Sequence, residues 1–73
     1  MKTIAEGSRV WWPYCHHGSD TVLSAAAIVV ALPGNRIAWV KVLMPVSGIE
    51  FRRCSQASLR IRTTAVPALD SHD

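Results

Sequence analysis

The stretch Arg36-Ile37-Ala38-Trp39-Val40-Lys41-Val42-Leu43-Met44 constrains this chain more than any other. It is rich in Ile, Trp and Val and is stopped by Pro45, so it reads as a strand. Successive strand side chains point to opposite faces, which puts Ala38, Val40, Val42 and Met44 on one side and Ile37, Trp39, Lys41 and Leu43 on the other. Both sides are largely apolar. The strand is therefore central in its sheet, or its second face is covered by something else.

Turn residues divide the rest into further short segments. Gly7 to Tyr14 alternates Val10, Trp12 and Tyr14 against Arg9 and Trp11, a strand whose Pro13 belongs at an edge or bulge because proline cannot donate to a ladder. Cys15 to Asp20 is small and polar and reads as a long loop. Val22 to Leu32 is ambiguous. Three consecutive alanines and a cap at Ser19 or Asp20 favour a helix, whereas Ile28-Val29-Val30 and the following Pro33-Gly34-Asn35 turn favour a strand, which is the preferred reading, with a start anywhere from Val22 to Ala26. After Ser47-Gly48, Ile49, Phe51 and Arg53 alternate with Glu50, Arg52 and Cys54 as a half-buried strand. Ser55 to Ser58 has room for one 3₁₀ turn. Leu59 and Ile61 then point inward with Arg60 and Arg62 outward. From Thr63 the pattern fades. The implied organisation is an N-terminal arm (1–6), one domain (7–63) and a flexible C-terminal tail (64–73).

Seventy-three residues hold one core, and a core of this size rarely supplies more than about 3–5 kcal/mol unaided. With 49% hydrophobic and 18% charged residues, the chain is too apolar to read as disordered. Five short strands, a long first loop and a short turn before the last strand make an all-β fold, a small five-stranded barrel. The order Gly7-Ser8-Arg9-Val10, Ala27-Ile28-Val29, Ile37-Ala38-Trp39-Val40-Lys41-Val42, Gly48 to Arg53 and Gln56 to Ile61 resembles the SH3-like barrels, including KOW-like and Tudor-like modules. That superfamily covers nucleic-acid binders, protein-interaction modules and a few enzymes. The opening Gly7-Ser8-Arg9-Val10 and the order of the last three strands are also similar to the type B plasmid-borne dihydrofolate reductases. Their pore carries Val-Gln-Ile-Tyr where this chain has Ile49-Glu50-Phe51-Arg52, so the resemblance does not carry their activity across.

Charge is segregated along the chain. Residues 36–62 hold six of the eight cations against Glu50 alone, a balance of +5, while the remainder carries −2. Six of the cations are arginine, which forks onto phosphate and stacks on flat rings. The longest apolar run, Ala25 to Leu32, is far short of the roughly 20 residues of a membrane span, and Lys2 is followed by no apolar run of the signal-peptide kind. With two cysteines, a reduced cytoplasmic protein is expected.

Arginine beside exposed aromatics suits nucleic acid, because the cation neutralises phosphate while the ring stacks on a base. Arg52, Arg60, Arg62, Lys41, Trp39 and Trp11 are the candidate binding residues on that ground. Trp12 is assigned to the core and Trp11 to a contact surface; an aromatic cage built from Trp11, Trp12 and Tyr14 is disfavoured because alternation splits the trio. Cys15, His16, His17 and Cys54 have zinc-ligand chemistry but poor spacing, and two free thiols are expected, with no metal and no cofactor. Surplus apolar surface on Arg36 to Met44 points to a homo-oligomer. The preferred function is a non-enzymatic nucleic-acid-binding module. The alternative is a self-associating adaptor or inhibitor that docks on a protein through Trp11, Trp39 and Leu43. A tetrameric dihydrofolate reductase-like enzyme is third.

Overall fold

A computed structural model of the chain describes residues 4–15, 18 and 20–70. Five strands form one antiparallel sheet: β1 (Arg9–Cys15), β2 (Val22–Ala31), β3 (Ile37–Met44), β4 (Gly48–Ser55) and β5 (Arg60–Ile61). A 3₁₀ turn, Gln56–Ser58, separates β4 from β5, and a single helical turn, α1 (Pro67–Asp70), follows. The spatial order is β4-β3-β2-β1-β5, so the chain meanders through four hairpin-linked strands and then returns beside the first. The protein is all-β as expected. The sheet is not closed into a barrel, since no ladder joins β4 to β5. Among the described residues, no helix is long and apolar enough to cross a membrane.

Val22 to Ala31 is a strand. Branched residues and two flanking strands outweigh the helix preference of its alanines. Its small side chains also let the sheet pack closely at Ala25 and Ala27, which are buried beside Val10, Val29, Ala38, Val40, Val42 and Leu59. This core lies on one face of the sheet, here the inner face. Its largest fully buried side chains are four valines, so it gains little area per residue, and half-buried Ile4, Trp12, Tyr14 and Met44 extend it. Trp12 and Tyr14 stack with ring centroids 5.7 Å apart. Pro13 is tolerated because β5 pairs only with Val10 and Trp11, leaving the later part of β1 open on that side.

Residues 64–70 correct the expectation of a loose tail. Pro67 occupies the first position of α1, where its fixed φ suits a helix start. Leu69 and Asp70 are buried and α1 packs on β2. The cause is Arg62, expected to point to solvent and instead 3% exposed. Alternation still places Arg62 on the side of Arg60 and Trp11, since its N–H continues the ladder to the Arg9 carbonyl and its guanidinium lies over the Trp11 ring. It is buried because the chain after β5 folds back over that side and brings Asp70 onto it.

Candidate nucleic-acid interface

The register fixes which side chains share the outer face, opposite the core. In β3 these are Ile37, Trp39, Lys41 and Leu43; their β4 partners are Ser55, Arg53, Phe51 and Ile49. On the other flank, Lys41 faces Ile28 of β2, Ile28 faces Arg9 of β1, and Trp11 of β1 faces Arg60 of β5. A bulge at Val30 shifts the phase of β2 by one residue, so that Ala31 pairs with Trp39. The outer face of β3 and β4 is unusually open for its composition: Phe51 is 60% exposed, Ile49 44% and Trp39 41%.

Cations interleave with these apolar groups. Directly opposed residues of an antiparallel pair stand about 5 Å apart, which brings Arg53 beside Trp39 and Lys41 beside Phe51. Glu50 is the sole carboxylate in any of the five strands, and it lies on the inner face, hydrogen-bonded by Arg52 and Ser47. The outer face of the sheet thus carries Arg9, Lys41, Arg53 and Arg60; at its β1 end the Asp70 carboxylate of α1 pairs with Arg62 (2.7 Å) and lies 3.7 Å from Arg9.

A cleft of about 440 Å³ opens at one corner of this face, lined by Pro33, Gly34, Asn35, Arg36, Ile37, Trp39 and Arg53. Its size falls in the roughly 300–1,000 Å³ range of small-molecule pockets. The wall formed by the β2–β3 turn is pinned from across the sheet edge. Gln56 Nε2 donates to the carbonyls of Gly34 (2.8 Å) and Ile37 (3.0 Å), and the Gln56 N–H donates to that of Arg36 (2.8 Å). Two guanidinium groups therefore flank one indole at a fixed rim.

The six predicted residues do not form one cluster. Trp39 and Lys41 lie on the open face as expected. Arg60 shares that face but stands at the far edge, on β5. Arg52 is corrected: it projects to the inner side, opposite Val40, and is occupied by Glu50 and the Phe51 carbonyl. Its neighbour Arg53 takes the outer position. Arg62 is corrected as well, because its guanidinium is consumed internally. It makes a bidentate pair with Asp70 (2.7 and 2.9 Å) and donates to the carbonyls of Val10 (3.2 Å), Ala27 (3.1 Å) and Thr64 (2.8 Å). It also covers the Trp11 ring at 5.9 Å, so half-buried Trp11 belongs to this internal cluster more than to a contact surface. Hydrogen bonds from Arg62 and the Val66 N–H, with the charges of Arg62 and Arg9, hold the Asp70 carboxyl well below the usual carboxylate range against the opposing effect of burial.

Sequence reasoning missed Arg36, Arg53 and Phe51 as site residues. The signal available for Arg53 was its parity with Phe51, which becomes informative once the side bearing Phe51 is known to be open. Cys15 and Cys54 are free thiols; burial pushes the Cys54 thiol up against a lowering hydrogen bond with Ser58. His16 and His17 of the zinc-like set lie outside the described residues, and no group of His, Cys, Asp or Glu among the described residues is placed to hold a metal ion. Ile49, Glu50, Phe51 and Arg52 alternate across the sheet, so the two polar members are separated from the two apolar ones. The chain matches no protein-family model, and no curated protein or solved structure is significantly similar to it.

Proposed function

We propose that the protein is a non-enzymatic binding module of the SH3-like kind that takes single-stranded nucleic acid on the outer face of β3 and β4. The sheet order, with β5 returning beside β1 after a 3₁₀ turn, supports the SH3-like reading. The observation that carries the function is the pairing of exposed rings with cations on a face to which no strand contributes a carboxylate. Trp39 and Phe51 are stacking platforms for bases, while Arg36, Lys41 and Arg53 neutralise the intervening phosphates. Arg36 and Arg53 at the pinned cleft set one base against Trp39.

The test is a titration with labelled single-stranded DNA and RNA over a range of salt. Three phosphate contacts give a slope of log K against log salt of about −2. Trp39→Ala should weaken binding by about tenfold or more, since stacking is worth about 1–3 kcal/mol per base, and Arg53→Gln should flatten the salt slope. Absence of binding at low salt overturns the proposal. A second reading, a protein-interaction adaptor, draws on the exposure of Phe51 and Ile49. It predicts partner capture that salt leaves largely intact.

A further inference from the structure

The sheet has two edges of unequal character. β5 supplies one, only two residues long and therefore a poor template for another strand. β4 supplies the other, eight residues without proline, whose charges Glu50, Arg52 and Arg53 bar strands that do not match them.

Ladder parity identifies the groups that β4 presents. The Gln56 N–H bonds to the Arg36 carbonyl one step beyond the Ile37–Ser55 pair that ends the β3–β4 register. Bonded and non-bonded pairs alternate in an antiparallel ladder, so the even-numbered residues of β4 bond to β3. The N–H and C=O groups of Ile49, Phe51 and Arg53 consequently point away from the sheet. Arg52 Nη1 donating to the Phe51 carbonyl (3.2 Å) agrees, because that oxygen is reachable from the open side.

We propose that β4 pairs antiparallel with β4 of a second copy of this chain, about a two-fold axis at Phe51. Charge favours this register over its immediate neighbours. With each Phe51 opposite its counterpart, Glu50 of either copy stands opposite Arg52 of the other on the inner face. Moving the axis by one residue sets Arg52 against Arg52 or Glu50 against Glu50, and like charges directly opposed are destabilising. The existing Arg52–Glu50 contact within each chain then becomes half of a closed four-charge ring. On the outer face the two Phe51 rings meet at the axis, and the outward N–H and C=O groups of Ile49, Phe51 and Arg53 find partners. The contact is isologous, so it closes at two copies. This interface does not rest on nucleic-acid binding.

The test is sedimentation of the full chain at concentrations up to about 1 mM, with a charge exchange. The wild-type chain should reach a dimer. Glu50→Lys alone and Arg52→Glu alone each oppose like charges twice and should weaken the dimer by about tenfold or more. An equal mixture of the two variants should restore it as a heterodimer, because every lysine then faces a glutamate. Phe51→Pro removes an outward N–H and no bond to β3, so it should give a monomer that keeps its strand circular dichroism. A wild-type chain that stays monomeric overturns the proposal. So does a mixture that stays monomeric, a Glu50→Lys chain that dimerises like the wild type, or a monomer that instead adds an extended peptide along β4.

Discussion

Arg62 shows how one side chain can tie the end of a small domain to its centre. Its guanidinium joins Val10 on β1, Ala27 on β2, Thr64 in the following segment and Asp70 on α1. Removing it leaves carbonyls and a carboxylate without their donor, and a buried acceptor left unsatisfied costs about 1–3 kcal/mol. Arg62→Ala should therefore lose more than about 3 kcal/mol, read as a drop in the urea midpoint. Lysine should not rescue it, since a single ammonium cannot reproduce the fork. A folded Arg62→Ala chain of wild-type stability would exclude this role. Arg52 and Arg53 make the complementary point. Alternation says which residues of β4 travel together, and it correctly separates Ile49, Phe51 and Arg53 from Glu50, Arg52 and Cys54. It does not say which set is buried. Here the set bearing Phe51 is the open one, so Arg53 and not Arg52 shares the outer face with Trp39 and Lys41.

At the scale of elements, β3 was legible as a strand from its branched and aromatic residues and its stop at Pro45. Of the two readings its apolar faces left open, it takes a place between neighbours, with Ile37 and Trp39 exposed on its outer face. β2 was legible through Ile28-Val29-Val30, since branched residues favour strand over helix. α1 was not, because its one turn is stabilised by tertiary contacts: the Asp70 carboxylate accepts from the Val66 N–H (2.8 Å) while it pairs with Arg62. The β2–β3 turn is likewise held from outside, by Gln56. Gln56→Ala removes two hydrogen bonds to that turn and should lower stability by about 1–2 kcal/mol. Under the proposed function, loosening Arg36 relative to Trp39 should also weaken nucleic-acid binding by severalfold, with the salt slope unchanged. A binding curve identical to wild type would separate the turn from the site.

For the whole molecule, the core of valines and alanines leaves stability resting partly on the Arg62–Asp70 pair, and this gives it an acid dependence. Asp70 has a folded pKa held below its unfolded value, near 3.9 for aspartate. Its contribution is complete above that value and is lost as pH falls through the lowered folded pKa. The urea midpoint should therefore hold from neutrality to about pH 4 and then decline, and Asp70→Asn should remove this part of the decline. An acid profile unchanged by Asp70→Asn would assign the loss to other carboxylates. The all-β class and the succession of five strands were readable from turn spacing and hydrophobic alternation. Closure was not, because whether β4 and β5 meet depends on twist and on the length of the last strand.

The Arg62 cluster also bears on the order in which the chain folds. The four-strand meander is built from neighbouring hairpins, whereas Arg62 meets Val10 across 52 positions and Ala27 across 35. Contacts of such long range carry the larger loop-closure cost and are made late. The cluster then acts as a brake on opening, so Arg62→Ala should speed unfolding far more than it slows refolding.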